Sequence, residues 1–555
     1  MRASLAFAIF AALASRQTAP TQAQPLFRSG THLVQVNVIV HDKRGEPVAD
    51  LKKEEFTILE RGKPQEIGFF SVDTAGPVNA KTPQADAPQA PLPSHTFTNI
   101  ASAHADVPTS VTAILIDLLN APPGDQMRAR EGLIKFLKQV QAQDRIAVFA
   151  LTSHGLVLLH DYTTDSAALV ERLRTAKPQV STEFSASLGD PGMQAELRAM
   201  GLDGLAEADQ RTADLFMANR INQSLAAFRA VAEHLAGLPG RKNLVWLSSG
   251  FPLSVGFDEM PEVGAPLTQR NPQLFTQEME GAVRVLNDNG IAVYPVDARG
   301  VFNPGVVDTS QRMPTGRWNQ MPSTTAANSN TSTMFVLADK TGGRAAYNTN
   351  DLGGAVRRAL DDGRVTYTLG YYSTDAKEDG TWRDIKVEVR RSGLDVRARK
   401  GYYAMRATDQ TADARTRQIR AGVWSPVEST ALPITAEIDF REEPPNSFEV
   451  NVELDPRTVG FQHEADRWKA TLDMVFVQKD AHSVQLGEGG MDNLSIALTD
   501  QNYKKVMEQG LIHRYRGVRQ PSAKTLRIVV RDATSGAVGS VTVPLDQIQR
   551  TGGLP

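Results

Sequence analysis

The most constraining feature of this chain is the alternation of short apolar segments and amphipathic segments between residues 110 and 363. The segments at 111–116, 144–151 and 291–297 are short, apolar and rich in β-branched residues, which is typical of strands buried on both faces. Helical spacing of apolar residues separates them, for example over 125–141. Strands joined by helical crossovers predict a parallel sheet with helices on both faces. We therefore predict a doubly wound α/β domain here, with an α+β arrangement as the alternative.

Both flanks of this domain read as β structure. Alternating apolar residues and turn signals predict about three strands in 28–73 and about three more in 364–404. Neither set is large enough for a stable sandwich, so we expect the two to pair, with the α/β domain inserted between them. A C-terminal β-sandwich of about seven short strands is predicted over 429–550. The segments 74–109 and 405–428 are interpreted as linkers.

The N-terminus predicts export. Residues 1–23 combine a positive charge, an apolar run too short to cross a bilayer, and small residues, as a secretory signal peptide does. A short buried helix is the alternative. No later segment approaches the roughly 18 unbroken apolar residues of a membrane span. We therefore expect a secreted or periplasmic protein with no integral membrane segment after signal removal.

Composition excludes several functional classes. The chain contains no cysteine, which rules out disulfides, thiol catalysis and zinc–cysteine sites. Its 60 basic and 63 acidic side chains give a net charge of −3, so no bulk electrostatic attraction to nucleic acid is expected. Neither H-E-x-x-H nor G-x-S-x-G occurs in the chain. These absences favour binding over catalysis.

Polar side chains follow the predicted strands of the α/β domain. In an open parallel sheet, ligands bind beyond the carboxyl ends of the strands, where the strand order reverses. Asp117, the serines Ser248 and Ser249, and Asp297 stand at such ends, so we expect them to share one edge of the sheet. Asn120 and Asp125 come shortly after Asp117 and add oxygen atoms near the same edge. The candidate metal site consists of Asp117, Asn120, Asp125, Ser249 and Asp297.

Several stretches in this region resemble one known family. They include "IDLLNAPPGDQMRAREGLIKFL", "LAGLPGRKNLVWLSSGFP" and "GIAVYPVDARG", in order within residues 30–404. The chain resembles the von Willebrand factor A domain and, more narrowly, the von Willebrand factor A-related family described from Acidobacteria. The resemblance implies a six-stranded doubly wound topology and a mainly non-catalytic binding role. That family has no well-established biochemical activity.

The resemblance also implies where a metal would bind. Ordinary A domains hold a divalent ion, usually Mg²⁺, with Asp-x-Ser-x-Ser after the first strand, a loop Thr, and an Asp after the fourth strand. Here Asp117 matches the first Asp, but Leu119 and Ala121 take the two Ser positions and Ser249 takes the second Asp position. The loop Thr has no clear equivalent. Because Mg²⁺ requires several oxygen ligands, the resemblance implies a degenerate site.

Two interpretations of this site remain open. In the first, three further oxygen groups rebuild a site for Mg²⁺: Asn120, Asp125 and Asp297. In the second, the carboxylates are structural: Asp117 pairs with Arg299 or Arg128, Asp125 caps the helix after it, and Asp297 pairs with Arg299. Apart from Mg²⁺, no cofactor is expected.

The expected function is recognition. We expect a secreted, non-catalytic protein whose sheet edge or loops at 178–212 and 299–331 recognise a protein or cell-envelope component. An envelope enzyme, or a metal-dependent adhesion protein with a rearranged site, is the alternative. A purely structural envelope module fits the same features.

Overall fold

The computed structural model describes residues 33–74, 92–100, 111–140, 144–163, 166–175, 181–238, 240–251, 276–301, 324–375, 377, 379–404, 412–441, 443–546 and 548. The predicted signal peptide and the parts of the two predicted loops at 178–180 and 302–323 lie outside these residues. Within the described ranges, no helix has both the length and the apolar character needed to cross a bilayer.

The elements follow the chain in three groups. The first holds the strands β1 (Leu33–His41), β2 (Phe56–Glu60), β3 (Lys63–Gln65), β4 (Ile67–Thr74) and β5 (Thr96–Thr98). The second holds β6 (Val111–Asp117), α1 (Pro123–Leu137), β7 (Ile146–Thr152), β8 (Gly155–Thr163), α2 (Ser166–Thr175), α3 (Thr182–Ser187), α4 (Pro191–Ala199), α5 (Asp203–Leu235), β9 (Lys242–Ser248), α6 (Thr276–Asp288), β10 (Ile291–Asp297), α7 (Thr324–Thr341) and α8 (Leu352–Asp361). The third holds β11 (Val365–Tyr372), β12 (Trp382–Val389), β13 (Asp395–Ala398), β14 (Gly401–Tyr403), α9 (Ala412–Trp424), β15 (Ile434–Arg441), β16 (Ser447–Leu454), β17 (Gln462–Glu464), β18 (Arg467–Lys479), β19 (Gln485–Leu498), α10 (Asp500–Gln509), β20 (Leu511–Val518), β21 (Thr525–Asp532) and β22 (Val538–Pro544).

The middle group forms a mixed α/β unit around a mostly parallel sheet of strand order β10-β9-β6-β7-β8. Strands β6, β7, β9 and β10 are parallel, and β8 returns antiparallel to β7. Every residue of the four parallel strands is buried. Helices α5, α6 and α7 pack on one face, and α1, α2 and α8 on the other. The strand order reverses between β6 and β9, and this places the crevice at their carboxyl ends.

The sheet differs from the six-stranded topology that the resemblance implied. The described sheet has five strands, and beyond β10 there is only a single parallel bridge between Val296 and Ala346. Two backbone hydrogen bonds of 2.8 Å, from Asp297 N to Ala346 O and from Ala346 N to Pro295 O, form that bridge. Pro295 has no N–H to donate, which suits β10 to a place near the edge of the sheet.

The strands before and after the α/β unit share one sandwich. β11 lies between β1 and β4 in one antiparallel sheet, and β12 pairs with β2 in the other. The two sheets enclose a common apolar core that includes Val36, Ile58 and Leu369. Glu60, only 2% exposed, accepts hydrogen bonds from the hydroxyls of Tyr371 (2.6 Å), Ser373 (2.7 Å) and Tyr402 (3.2 Å).

The predicted linkers contain regular structure, which corrects their interpretation. Within 74–109, strand β5 pairs with β15 of the C-terminal sandwich, and the Asn99 side chain bonds the backbone at Ser429, Leu432 and Ile434. Within 405–428, helix α9 packs on strands of that sandwich. Local sequence did not reveal β5 because three residues show no period, and its stability comes from a partner over 300 residues away.

The C-terminal sandwich packs a sheet of order β20-β16-β15-β5 against a five-stranded sheet centred on β18 and β21. β19 pairs with β18 along almost its whole length. Residues of both sheets, among them Ile438, Val450, Leu472 and Ile528, form one apolar core. Helix α10, which the strand pattern did not predict, joins β19 to β20.

The end of α5 joins the α/β unit to the C-terminal sandwich. The backbone of Thr430 donates to Glu233 O at 3.0 Å, and Ser429 Oγ donates to Glu233 Oε2 at 3.2 Å. Burial raises the pKa of Glu233 from 4.5 to about 7, against the opposing effects of the Ser429 hydrogen bond and the charges of Arg229 and Arg527. The junction therefore contains a carboxyl group that titrates near neutral pH.

Substituting Ile58 with Asp should unfold the whole first sandwich, including the strands that follow the α/β unit in the sequence. The charge would enter a core where Ile58 is 0% exposed, so we expect a loss of more than about 4 kcal/mol of unfolding free energy. Hydrogen exchange should show lost protection in Val365–Tyr372 and Trp382–Val389 as well as in β2. Thr57→Asp, on the opposite face of β2, is the control. Unchanged protection in β11 and β12 would contradict the shared core.

Glu233→Gln should flatten the pH dependence of stability. Because the folded pKa is raised, the native state keeps a proton between about pH 4.5 and 7 that the unfolded state loses. The contribution of Glu233 to stability therefore falls as pH rises through that window and is constant above it. After discounting for partial exposure, we expect a difference of about 1–2 kcal/mol between wild type and variant across the window. Denaturant unfolding at a series of pH values measures it, with exposed Glu437→Gln as control. Parallel profiles for wild type and Glu233→Gln would contradict the assignment.

Candidate functional site

Asp117 lies at the carboxyl end of β6, beside the end of β9, and is 1% exposed. Its Oδ1 accepts from the Asn120 backbone N–H at 2.8 Å. Its Oδ2 accepts from Asn120 Nδ2 (2.9 Å), Trp246 Nε1 (3.1 Å) and Ser248 Oγ (2.8 Å). Burial raises the pKa of Asp117, and these hydrogen bonds oppose that shift. Asp117 Oδ2 therefore accepts three hydrogen bonds and Oδ1 accepts one.

A buried arginine supplies the positive charge of this site. Arg220 on α5 is 3% exposed and donates to Asn120 Oδ1 from Nε (3.1 Å) and Nη2 (2.9 Å). Its remaining terminal nitrogen donates to Ser187 Oγ, and its guanidinium lies 4.6 Å from the ring centre of Phe184. Burial lowers the pKa of Arg220 to about 10, with the charge of Asp117 opposing, so the side chain stays cationic at neutral pH. Asn120 thus connects an anion to a cation without direct contact between them.

Asp125 and Ser249 form a second pair along the same edge. Ser249 Oγ donates to Asp125 Oδ2 at 2.7 Å, and Arg128 Nη1 donates to Asp125 Oδ1 at 2.8 Å. The prediction that Asp125 caps helix α1 is wrong, because the cap position is Pro122 and Asp125 lies inside the first turn. A carboxylate there still interacts favourably with the helix dipole.

Asp297 and Arg299 form a third pair. Arg299 donates from Nε (3.0 Å) and Nη2 (2.8 Å) to the two oxygens of Asp297, which is 3% exposed. The Asp297 hydrogen bond raises the pKa of Arg299. The prediction that Asp117 pairs with Arg299 or Arg128 is wrong, since each arginine binds a different carboxylate.

The five candidate residues therefore share one edge but form three groups, and Arg128 links the second to the third by also donating to Ala298 O and Arg299 O. In the described part of the chain, no three His, Cys, Asp or Glu side chains cluster in a way that would hold a metal. Three donors surround Asp117 Oδ2, and Leu119 and Ala121 present buried carbon at the two positions where the resemblance implies serine oxygens. The residues around Asp117 do not fit a divalent ion.

Of the two serines that the sequence places at this edge, Ser248 rather than the candidate ligand Ser249 contacts Asp117. Sequence reasoning missed Trp246 and Arg220, which come from elements more than 100 residues away. One signal was present for Arg220. It lies among the inward-facing residues of α5, such as Ser224 and Leu225, and a charged residue on a buried helix face requires a polar partner.

Comparison with known proteins gives remote structural likeness only. No family model matches the chain, and no curated protein matches it. The chain is similar to a crystal structure of an aerotolerance-related membrane protein from Bacteroides fragilis carrying multiple mutations to serine, with 14% identity, 46% of this chain and 98% of that chain covered, and a TM-score of 0.25. It is also similar to the N-terminal domain of TFIIH p34 (12% identity, 46% and 99% covered, TM-score 0.20) and to the human COPII-coat protein Sec24c (9% identity, 54% and 44% covered, TM-score 0.21). TM-scores this low do not bear on function.

Asp117→Asn should destabilise the protein equally with and without Mg²⁺. The new amide would point an N–H at existing donors, so we expect a loss of about 2–4 kcal/mol. Thermal unfolding in millimolar Mg²⁺, Mn²⁺ or Ca²⁺ and in chelator measures the effect, with exposed Asp439→Asn as control. A cation-dependent rise in Tm that is present in wild type and absent in Asp117→Asn would show that a metal binds there after all.

Proposed function

We propose that this chain is a secreted, non-catalytic binding protein built around a von Willebrand A-like domain with a degenerate metal-ion site. It recognises a protein of the cell envelope or its surroundings through a helical projection. The projection lies beside the degenerate site, at the edge of the sheet that carries Asp117. We define the projection as residues 181–215, which contain α3, α4 and the first turns of α5. The observation that carries the proposal is the apolar surface of this projection.

The projection exposes an unusual number of large apolar side chains. They are Leu188 (61% exposed), Met193 (48%), Met200 (62%), Leu202 (43%), Leu205 (57%) and Leu215 (71%). Single exposed apolar residues are ordinary on protein surfaces, but a concentration within one short segment is typical of a protein-interaction site. Methionine and leucine also adapt easily to a partner's shape.

The charge of the projection indicates what kind of partner fits. Residues 181–215 contain seven acidic residues and only two arginines. An acidic surface with exposed apolar side chains is complementary to a basic surface with its own apolar side chains. We therefore infer a partner protein whose contact surface is cationic and amphipathic.

Hydrogen bonds of the buried Arg220 connect the base of the projection to the edge of the sheet. Arg220 bonds Ser187 and lies over Phe184 of α3, while its other nitrogens bond Asn120 beside β6. The base of the projection is thus fixed to the sheet by a guanidinium instead of a bound ion. A surface positioned this way binds with less loss of conformational entropy than a free loop.

Substitution of the projection's apolar residues should weaken recognition without unfolding the protein. Met200→Ser with Leu215→Ser removes two well-exposed side chains, and we expect partner binding to weaken about tenfold or more. A photoreactive amino acid that replaces Leu205 would crosslink the partner in envelope extracts. Mass spectrometry then identifies the partner and measures the crosslinked amount. Val157→Ser with Ile512→Ser, exposed elsewhere on the molecule, is the matched control. Equal crosslinking by wild type and the projection variant would contradict the proposal.

A further inference from the structure

The C-terminal sandwich contains a cavity that belongs neither to the sheet edge nor to the projection. Its volume is about 220 Å³, and it lies between the first half of β19 and the end of β20. Its lining includes Phe476, Gln478, Glu488, Tyr515 and Gln520, together with three glycines of β19. The volume is below that of typical drug-sized pockets and suits a single small ring.

A local break in strand pairing creates this cavity. β18 and β19 pair from Gln478↔Leu486 and again from Phe476↔Gly490, which leaves three residues of β19 opposite Val477 alone. Gly487 (φ +70°) and Gly489 (φ +75°) in this three-residue bulge adopt the left-handed conformation that favours glycine. The bulge moves backbone away from the sandwich and opens space above the neighbouring rings.

A stacked aromatic pair lies at the bottom of the cavity. The rings of Phe476 and Tyr515 stack with centroids 3.8 Å apart and an angle of 3° between planes. A Cβ atom on Gly490 would lie 2.3 Å from the Tyr515 hydroxyl, so only glycine at this position leaves room for the ring. Gln478 holds the far wall by donating to Val518 O (2.8 Å) and accepting from the Gln520 backbone N–H (2.9 Å).

Three polar groups around the cavity have no hydrogen-bond partner among the described residues: the Tyr515 hydroxyl, the Gln520 side-chain amide and the Glu488 carboxylate. The Gln520 amide faces the bulge, since a Cβ atom on Gly487 would lie 3.7 Å from its Nε2. Between them these groups both donate and accept hydrogen bonds. Polar groups that remain free at the wall of a formed cavity are available to a ligand.

The chemistry of the lining selects one class of ligand. No Lys or Arg lines the cavity, and its only charged group is Glu488, so neither an anion nor a multiply coordinated cation is matched. An apolar ligand would leave the amide and hydroxyl without partners. A ring that carries several hydroxyls and has one apolar face would satisfy the free polar groups and lie against the half-buried Tyr515 ring, since Phe476 is only 1% exposed beneath it. We propose that this cavity binds a single neutral sugar residue, as a free sugar or at the end of a glycan.

The test uses the full chain and free sugars. Saturation-transfer NMR with a panel of neutral hexoses and N-acetylhexosamines should show binding, and isothermal titration should give its affinity. Tyr515→Phe combined with Glu488→Ala keeps the stacked rings and should weaken that affinity about tenfold or more. Tyr503→Phe combined with Glu464→Ala, which lie outside the cavity, is the matched control and should leave it unchanged.

Two results would overturn the proposal. The first is no saturation transfer from any sugar in the panel at millimolar concentration. The second is sugar binding that the cavity variant leaves at wild-type strength. The proposal is independent of protein recognition by the projection, because Met200→Ser with Leu215→Ser should leave sugar affinity unaltered.

Discussion

The architecture around the sheet edge depends on one buried carboxylate and the way its charge is balanced. Asp117 stands where the strand order reverses, 1% exposed, in a place where an uncompensated charge would be strongly destabilising. Three N–H groups and a hydroxyl donate hydrogen bonds to it. Asn120 supplies two of those N–H groups, and its side-chain oxygen accepts from the buried cation Arg220. The strand end, α5 and α3 are therefore held together by one polar network. Removing Asn120 would leave the buried Arg220 without the oxygen that accepts two of its hydrogen bonds.

Strands that are far apart in the sequence pair with each other in both β-sandwiches. The segment between β4 and β6 adds β5 to the C-terminal sandwich before the chain enters the α/β unit, and β11 later returns to lie between β1 and β4. Each β-sandwich thus contains strands from both sides of the α/β unit in the sequence. Such non-local pairing is expected to slow folding. The molecule carries two features of different character: an acidic, apolar helical projection and a small cavity in the C-terminal sandwich.

Much of this arrangement is readable in the sequence. Short β-branched runs separated by helical spacing require a buried parallel sheet, because only helices on both faces protect such strands from water. The strands predicted in 28–73 and in 364–404 require each other, because neither set alone is large enough to bury an apolar core. Candidate positions such as Asp117 and Asp297 also follow, because strand ends in a parallel sheet meet at one edge. The helical nature of 181–212 and the strand β5 were not readable, since neither carries a strong apolar period of its own.

The sequence by itself determined the classes of element, their order and the edge of the sheet at which acidic side chains collect, because those depend on local periodicity and chain direction. The pair of Asp297 and Arg299, two residues apart, was predicted from the sequence and is present in the structure. Only the tertiary structure decided the partners of Asp117, since Trp246 and, through Asn120, Arg220 reach it from distant elements. Partner choice among buried polar groups depends on distances of a few tenths of an ångström, which only the packed fold sets.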